Sequence, residues 1–170
     1  MSIKQFNGHW MSEKDRLMIR FNTMDDCEYR LWLTRHLLKK IFQVGLDLIK
    51  PSQEKYDQNT SKIIQKMNLD VLQKSTNLKG QYENASKFPI GQVPVLVVGV
   101  DVESNEKFAN IDLHLITKQK LNIKITKQIW GRFIILLNKL QKDAGWDLSL
   151  EGQQELVGNS DEEAIQVTLH

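Results

Sequence analysis

Residues 94–126, PVLVVGVDVESNEKFANIDLHLITKQKLNIKIT, decide the fold. Pro94 to Val102 is a β-branched run of the kind that fills a central strand. Ser104, Asn105 and Glu106 turn the chain. From Phe108 to Ile116 the residues alternate, with Ile111, Leu113 and Leu115 on one face. Thr117 to Lys120 turn it again, and Leu121, Ile123 and Ile125 then alternate with Asn122 and Lys124. Period-two runs joined by short turns predict an antiparallel meander.

Towards the C-terminus, Thr126 has the side-chain oxygen of an N-cap, and a helix is predicted to about Lys142. Ile129, Trp130, Phe133, Leu136, Leu137 and Leu140 share one face of it. Gly145 is the expected stop, and Trp146 and Leu148 are expected to fold back onto the core. Beyond Leu150 the composition turns to Glu, Gln, Gly, Asn, Ser and Asp, which predicts an acidic, disordered tail over 151–170. Within it, Ala164 to Leu169 (AIQVTL) alternates in the manner of a strand that could add to a sheet edge.

Towards the N-terminus, Leu17, Ile19 and Phe21 alternate with Met18 and Arg20, which predicts a strand. Residues 3–11 can pair with it as a hairpin across Ser12 to Asp15. Asn22 and Thr23 offer cap chemistry, with Asp25, Asp26 and Glu28 behind them to complement a helix dipole. A first helix is therefore expected from there to about Ile49, ahead of Pro51. A second amphipathic helix is expected over Ser61 to Lys74, and a polar connection over Asn77 to Phe88. The order β-α-α-β-β-β-α gives an α+β fold in two layers, an antiparallel sheet of about four strands against about three helices. It forms one domain over 1–150, with no internal repeat visible in the sequence.

Composition bounds the function. With 41% hydrophobic and 26% charged residues in 170, the chain is globular in type. No apolar run is long enough to span a bilayer and the polar N-terminus does not resemble a signal peptide, so a cytoplasmic protein is expected. The single cysteine, Cys27, has no internal disulfide partner and fits a reducing compartment. All 23 basic residues but only 16 of the 21 acidic ones fall in 1–150, a body near +7 joined to an acidic tail. That asymmetry fits attraction to a polyanion with which the tail competes, and it fits simple solubility as well.

On the expected first helix, Tyr29, Trp32, Arg35, His36, Lys39, Lys40 and Gln43 fall opposite the apolar face. Cations interleaved with aromatics suit single-stranded nucleic acid, with Arg35 and Lys39 on phosphate and Trp32 and Tyr29 stacking on bases. A solvated face whose aromatics pack on a neighbour explains the same residues. Arg30 enters the apolar arc, where Asp26 one turn earlier can pair with it. Asp112 and His114 share a strand face with Lys124, a set compatible with acid–base chemistry or with an exposed polar face. Cys27 lies near the expected helix start, where a thiol is activated, but also in the apolar arc of a core residue. The sequence has no phosphate loop, dinucleotide fingerprint, nucleophile elbow or metal-ligand spacing, so no catalytic residue, metal or cofactor is assigned.

The stretches RFNTMDDCEYRLWLTRHL (20–37) and WGRFIILLNKLQKDAGWDL (130–148) resemble segments of a small uncharacterised bacterial protein family. The resemblance implies a compact bacterial domain and no activity. The expectation from sequence is thus a non-catalytic protein-interaction module that associates with itself. The alternative is a nucleic-acid-binding accessory protein using the basic and aromatic face of the first helix.

Overall fold

In a computed structural model, the structure describes residues 1–49, 82–105 and 108–148. The expected second helix over 61–74 and the acidic tail lie outside the described residues. Strands β1 (Ile3–Met11), β2 (Arg16–Thr23) and β3 (Glu28–Leu33) precede helix α1 (Arg35–Ile49). Strands β4 (Val95–Ser104), β5 (Phe108–Leu115) and β6 (Lys120–Thr126) precede helix α2 (Lys127–Asp143). The six strands form one sheet in sequence order. Every neighbouring pair is antiparallel except β3 and β4, which run parallel.

The α+β class stands, with six strands and two helices among the described residues rather than about four and three. The difference lies mainly in residues 22–34. Asp26 takes a left-handed backbone (φ 59°), and the Thr23 amide bonds the Cys27 carbonyl, so the chain reverses in a tight turn. Glu28 to Leu33 then pairs along β2, from Asn22 opposite Glu28 to Leu17 opposite Leu33. These residues satisfy a period of two as well as a helical arc, and the ladder to β2 decides between them. The helix starts after Thr34, whose hydroxyl accepts from the Leu37 amide at 3.3 Å. The expected sheet was wholly antiparallel. The parallel seam instead follows from a long crossover between β3 and β4, which parallel neighbours require.

Among the described residues the order β-β-β-α occurs twice, a repeat of architecture that the sequence itself does not display. The sheet curls until Cα atoms of its outer strands, β1 and β6, come within 8 Å of one another. Its inner face packs both helices into a single core that includes Leu17, Ile19, Leu31, Ile111, Ile123 and Trp130. The meander, the Thr126 cap (accepting from the Ile129 amide at 3.3 Å) and Gly145 (φ 63°) appear as expected. Trp146 does fold back. It packs edge-on against Trp10 and donates to Asp15 Oδ1 at 3.1 Å.

Two glycines let α2 sit this close. A Cβ on Gly8 of β1 would fall 2.5 Å from Ile19 Cδ1 and 2.8 Å from Leu140 Cδ1. One on Gly45 of α1 would fall 2.7 Å from Ile134 Cδ1 and 3.0 Å from Trp130. Gly45→Leu is therefore expected to lower the urea midpoint, with a loss of about 1–3 kcal/mol from overpacking, although leucine is the better helix former.

Candidate functional site

The outer face of the sheet, turned away from both helices, carries the features that the core does not explain. Register places Met18 (β2) opposite Trp32 (β3), and Trp32 beside Leu96 (β4). The Ile116 amide at the end of β5 bonds the Leu96 carbonyl. Four apolar residues thus form a row across four strands, on the face that alternation assigns to water. Val98 extends the row along β4, where the pairing shifts between Val97 and Gly99 and a bulge re-aims the side chain. Val98 is 54% exposed and Ile116 60%, whereas Trp32 is only 9% exposed. The Lys14 ammonium lies 5.1 Å from the Trp32 ring centre.

Cations border the row on the β1–β2 side. Arg16 and Arg20 flank Met18 along β2, and His9 stands opposite it on β1. Among the described residues no carboxylate pairs with Lys14, Arg16 or Arg20. Burial first, and then the charge of Arg20, hold the His9 imidazole below its ordinary value.

Residues 82–94 approach this face from the other end of β3. The Glu83 carbonyl accepts from Gln5 and Asn22 at 2.6 and 2.8 Å, and the Arg20 guanidinium stacks 3.9 Å from the Tyr82 ring centre. Glu28, fully buried, accepts from Arg30 Nε at 2.6 Å. Arg30 also reaches the Gln92 carbonyl at 3.1 Å. Burial and then the Glu28 carboxylate push the Tyr82 phenol well above its ordinary value. The expected pairing of Arg30 with Asp26 does not form, because Asp26 lies in the turn before β3 and Arg30 in an extended strand rather than one helical turn away; Asp26 instead accepts from the Ser86 hydroxyl.

The six residues of the expected helix face are divided between three surfaces. Tyr29 points into the core and stacks on Phe21 at 5.1 Å, and burial raises its phenol pKa. Trp32 lies on the outer sheet face. Arg35, His36, Lys39 and Lys40 remain together, exposed on α1 with Gln43. The stacking half of the nucleic-acid surface is therefore separated from its cationic half, since the helix begins only after both aromatics.

Asp112 and His114 do share the outer face, but they do not unite with Lys124. His114 Nε2 is 2.6 Å from Asp101, Asp112 pairs with Lys120 at 2.7 Å and Asn122 at 2.6 Å, and Lys124 lies over Phe108. Cys27 is half-buried and bridges to Lys87 in a turn, away from any helix terminus. Among the described residues no cluster of three or more metal-ligating side chains occurs, and no helix is long and apolar enough to cross a membrane. An apolar cavity of about 40 Å³ lies inside the curled sheet among residues such as Phe6, Val100, Ile125 and Phe133. It is far smaller than the roughly 300 Å³ at which ligand pockets begin.

Leu96, Val98 and Ile116 were not marked as a site by sequence reading. The signal was the unbroken apolar run VLVV, which a strand buried on both faces also produces.

No protein-family model matches the chain, nor does any curated protein or solved structure.

A lowered pKa favours neutral His9 in the folded chain. As pH falls below the ordinary value of 6.5, the unfolded chain binds the proton first and this group's contribution to stability declines. An NMR titration is expected to place the His9 midpoint below 6.5, with Arg20→Gln raising it only part of the way, because burial is the larger cause.

Proposed function

We propose that this chain is a non-catalytic protein-interaction module that associates with itself through the outer face of its sheet. The observation that supports it is the apolar row. Leu96 and Val98 on β4 lie beside Ile116 at the end of β5, and two of the three are more than half exposed. Grouped apolar side chains on a solvent-facing sheet mark a surface that another protein covers, whereas isolated ones need no explanation. The polar partners on this face are also consumed internally, as Asp101 with His114 and Asp112 with Lys120. Such pairing suits an interface rim better than a reaction centre.

Sedimentation equilibrium across about 1–100 µM tests the reading, a range that corresponds to moderate association free energies. The wild-type chain is expected to form dimers or larger species in that range. Val98→Lys, on an exposed position that leaves the core intact, is expected to move the midpoint up at least about tenfold, or ~1.4 kcal/mol. A wild-type chain that stays monomeric throughout ends this reading.

A nucleic-acid-binding role has separate support in Arg35, His36, Lys39 and Lys40, four exposed groups on one helix with no carboxylate partner among the described residues. Arg35 occupies the first turn, where the helix dipole disfavours positive charge. Fluorescence anisotropy with single-stranded oligonucleotides is expected to show binding that falls steeply with salt and weakens in Lys39→Glu with Lys40→Glu. No binding at low salt removes this second role.

A further inference from the structure

The outer face is apolar across its middle and bordered on the β1–β2 side by cations that no carboxylate pairs among the described residues, so the segment that fits it is apolar, alternating and acidic. The chain contains such a segment. Asp161, Glu162 and Glu163 lead directly into Ala164–Leu169 (AIQVTL), and residues 151–170 include no Lys or Arg. The point where the chain leaves the described structure also matters. Trp146 is bonded to Asp15 and packed on Trp10, and the Leu148 amide is held by Gln141 at 2.9 Å. The exit is therefore beside the β1–β2 turn, and Lys14 of that turn stands over Trp32 of the row. Residues 149–170 can reach about 70 Å when extended. The sheet is only about 25 Å across, so every part of its outer face is within range.

We infer that Asp161–Leu169 docks on the outer face of its own chain, with its alternating apolar residues on Leu96, Val98 and Ile116 and its acidic triplet among Lys14, Arg16 and Arg20. Docking limits self-association, and that consequence rests on the function proposed above. The docking itself does not. A face that is free in only about one molecule in ten weakens apparent affinity about tenfold for each face engaged.

The test uses the full chain. In a Cys27→Ser background, Thr168→Cys receives a nitroxide label, and methyl signals are followed at a concentration below self-association. The expected result is broadening of Leu96, Val98 and Ile116 that does not depend on protein concentration. It is removed by Asp161→Lys, Glu162→Lys and Glu163→Lys together. Mixing labelled chains with NMR-visible, nitroxide-free ones is expected to broaden nothing, because the segment serves its own chain. No broadening on the row, or broadening transferred between chains in the mixture, overturns the inference.

Sedimentation keeps the two ideas apart. Ile165→Asp with Val167→Asp is expected to lower the association midpoint about tenfold or more. If broadening occurs but Val98→Lys leaves association unchanged, docking holds and the proposed function fails. If Val98→Lys weakens association but no broadening is seen, the function holds and docking fails.

Discussion

One buried hydrogen bond fixes how the two helices meet. The Trp130 indole N–H of α2 donates to the Gly45 carbonyl of α1 at 3.2 Å. A buried indole needs such an acceptor, and a helix carbonyl is open to one only where its side-chain neighbours are absent. Gly45 supplies that opening, and Ile134 and the Trp130 ring occupy the space that a Cβ would take. With α2 drawn onto α1 at this point, its other end presses Leu140 onto Gly8 of β1. The curl of the sheet follows, because one helix must touch the first strand while it continues directly from the last.

The meander over 94–126 and the last helix were legible because each element shows one period and no other. Ile111, Leu113 and Leu115 satisfy alternation alone, and Trp130, Phe133 and Leu137 satisfy helical spacing alone. Residues 28–33 satisfy both. Leu31 and Leu33 suit the apolar side of a helix and Tyr29 and Trp32 the opposite side, and the polar residues before them mimic a cap. Only the partner strand resolves the ambiguity, and a partner strand is not a local property. Pairing of Leu31 with Val95 leaves no mark on either segment, so the parallel seam was equally invisible.

The candidate site was partly legible for the same reason. Arg35, His36, Lys39 and Lys40 kept their common face because the helix truly includes them. Tyr29 and Trp32 were lost from it because strand geometry sends residues three apart to opposite faces. The apolar row escaped notice because it is assembled from four strands, and each contributes a residue that looks like ordinary core. What sets it apart is the side of the sheet it occupies, which depends on where the helices pack.

The seam between β3 and β4 has a consequence for how the molecule holds together. It rests on two residue pairs, Leu31 with Val95 and Trp32 with Leu96, whereas β1–β2 and β4–β5 are paired along most of their length. Each β-β-β-α half is thus laced firmly within itself and stitched lightly to the other along the sheet. The join between the halves therefore falls mainly on helix packing, α2 against Gly45 of α1 and against Gly8 of β1.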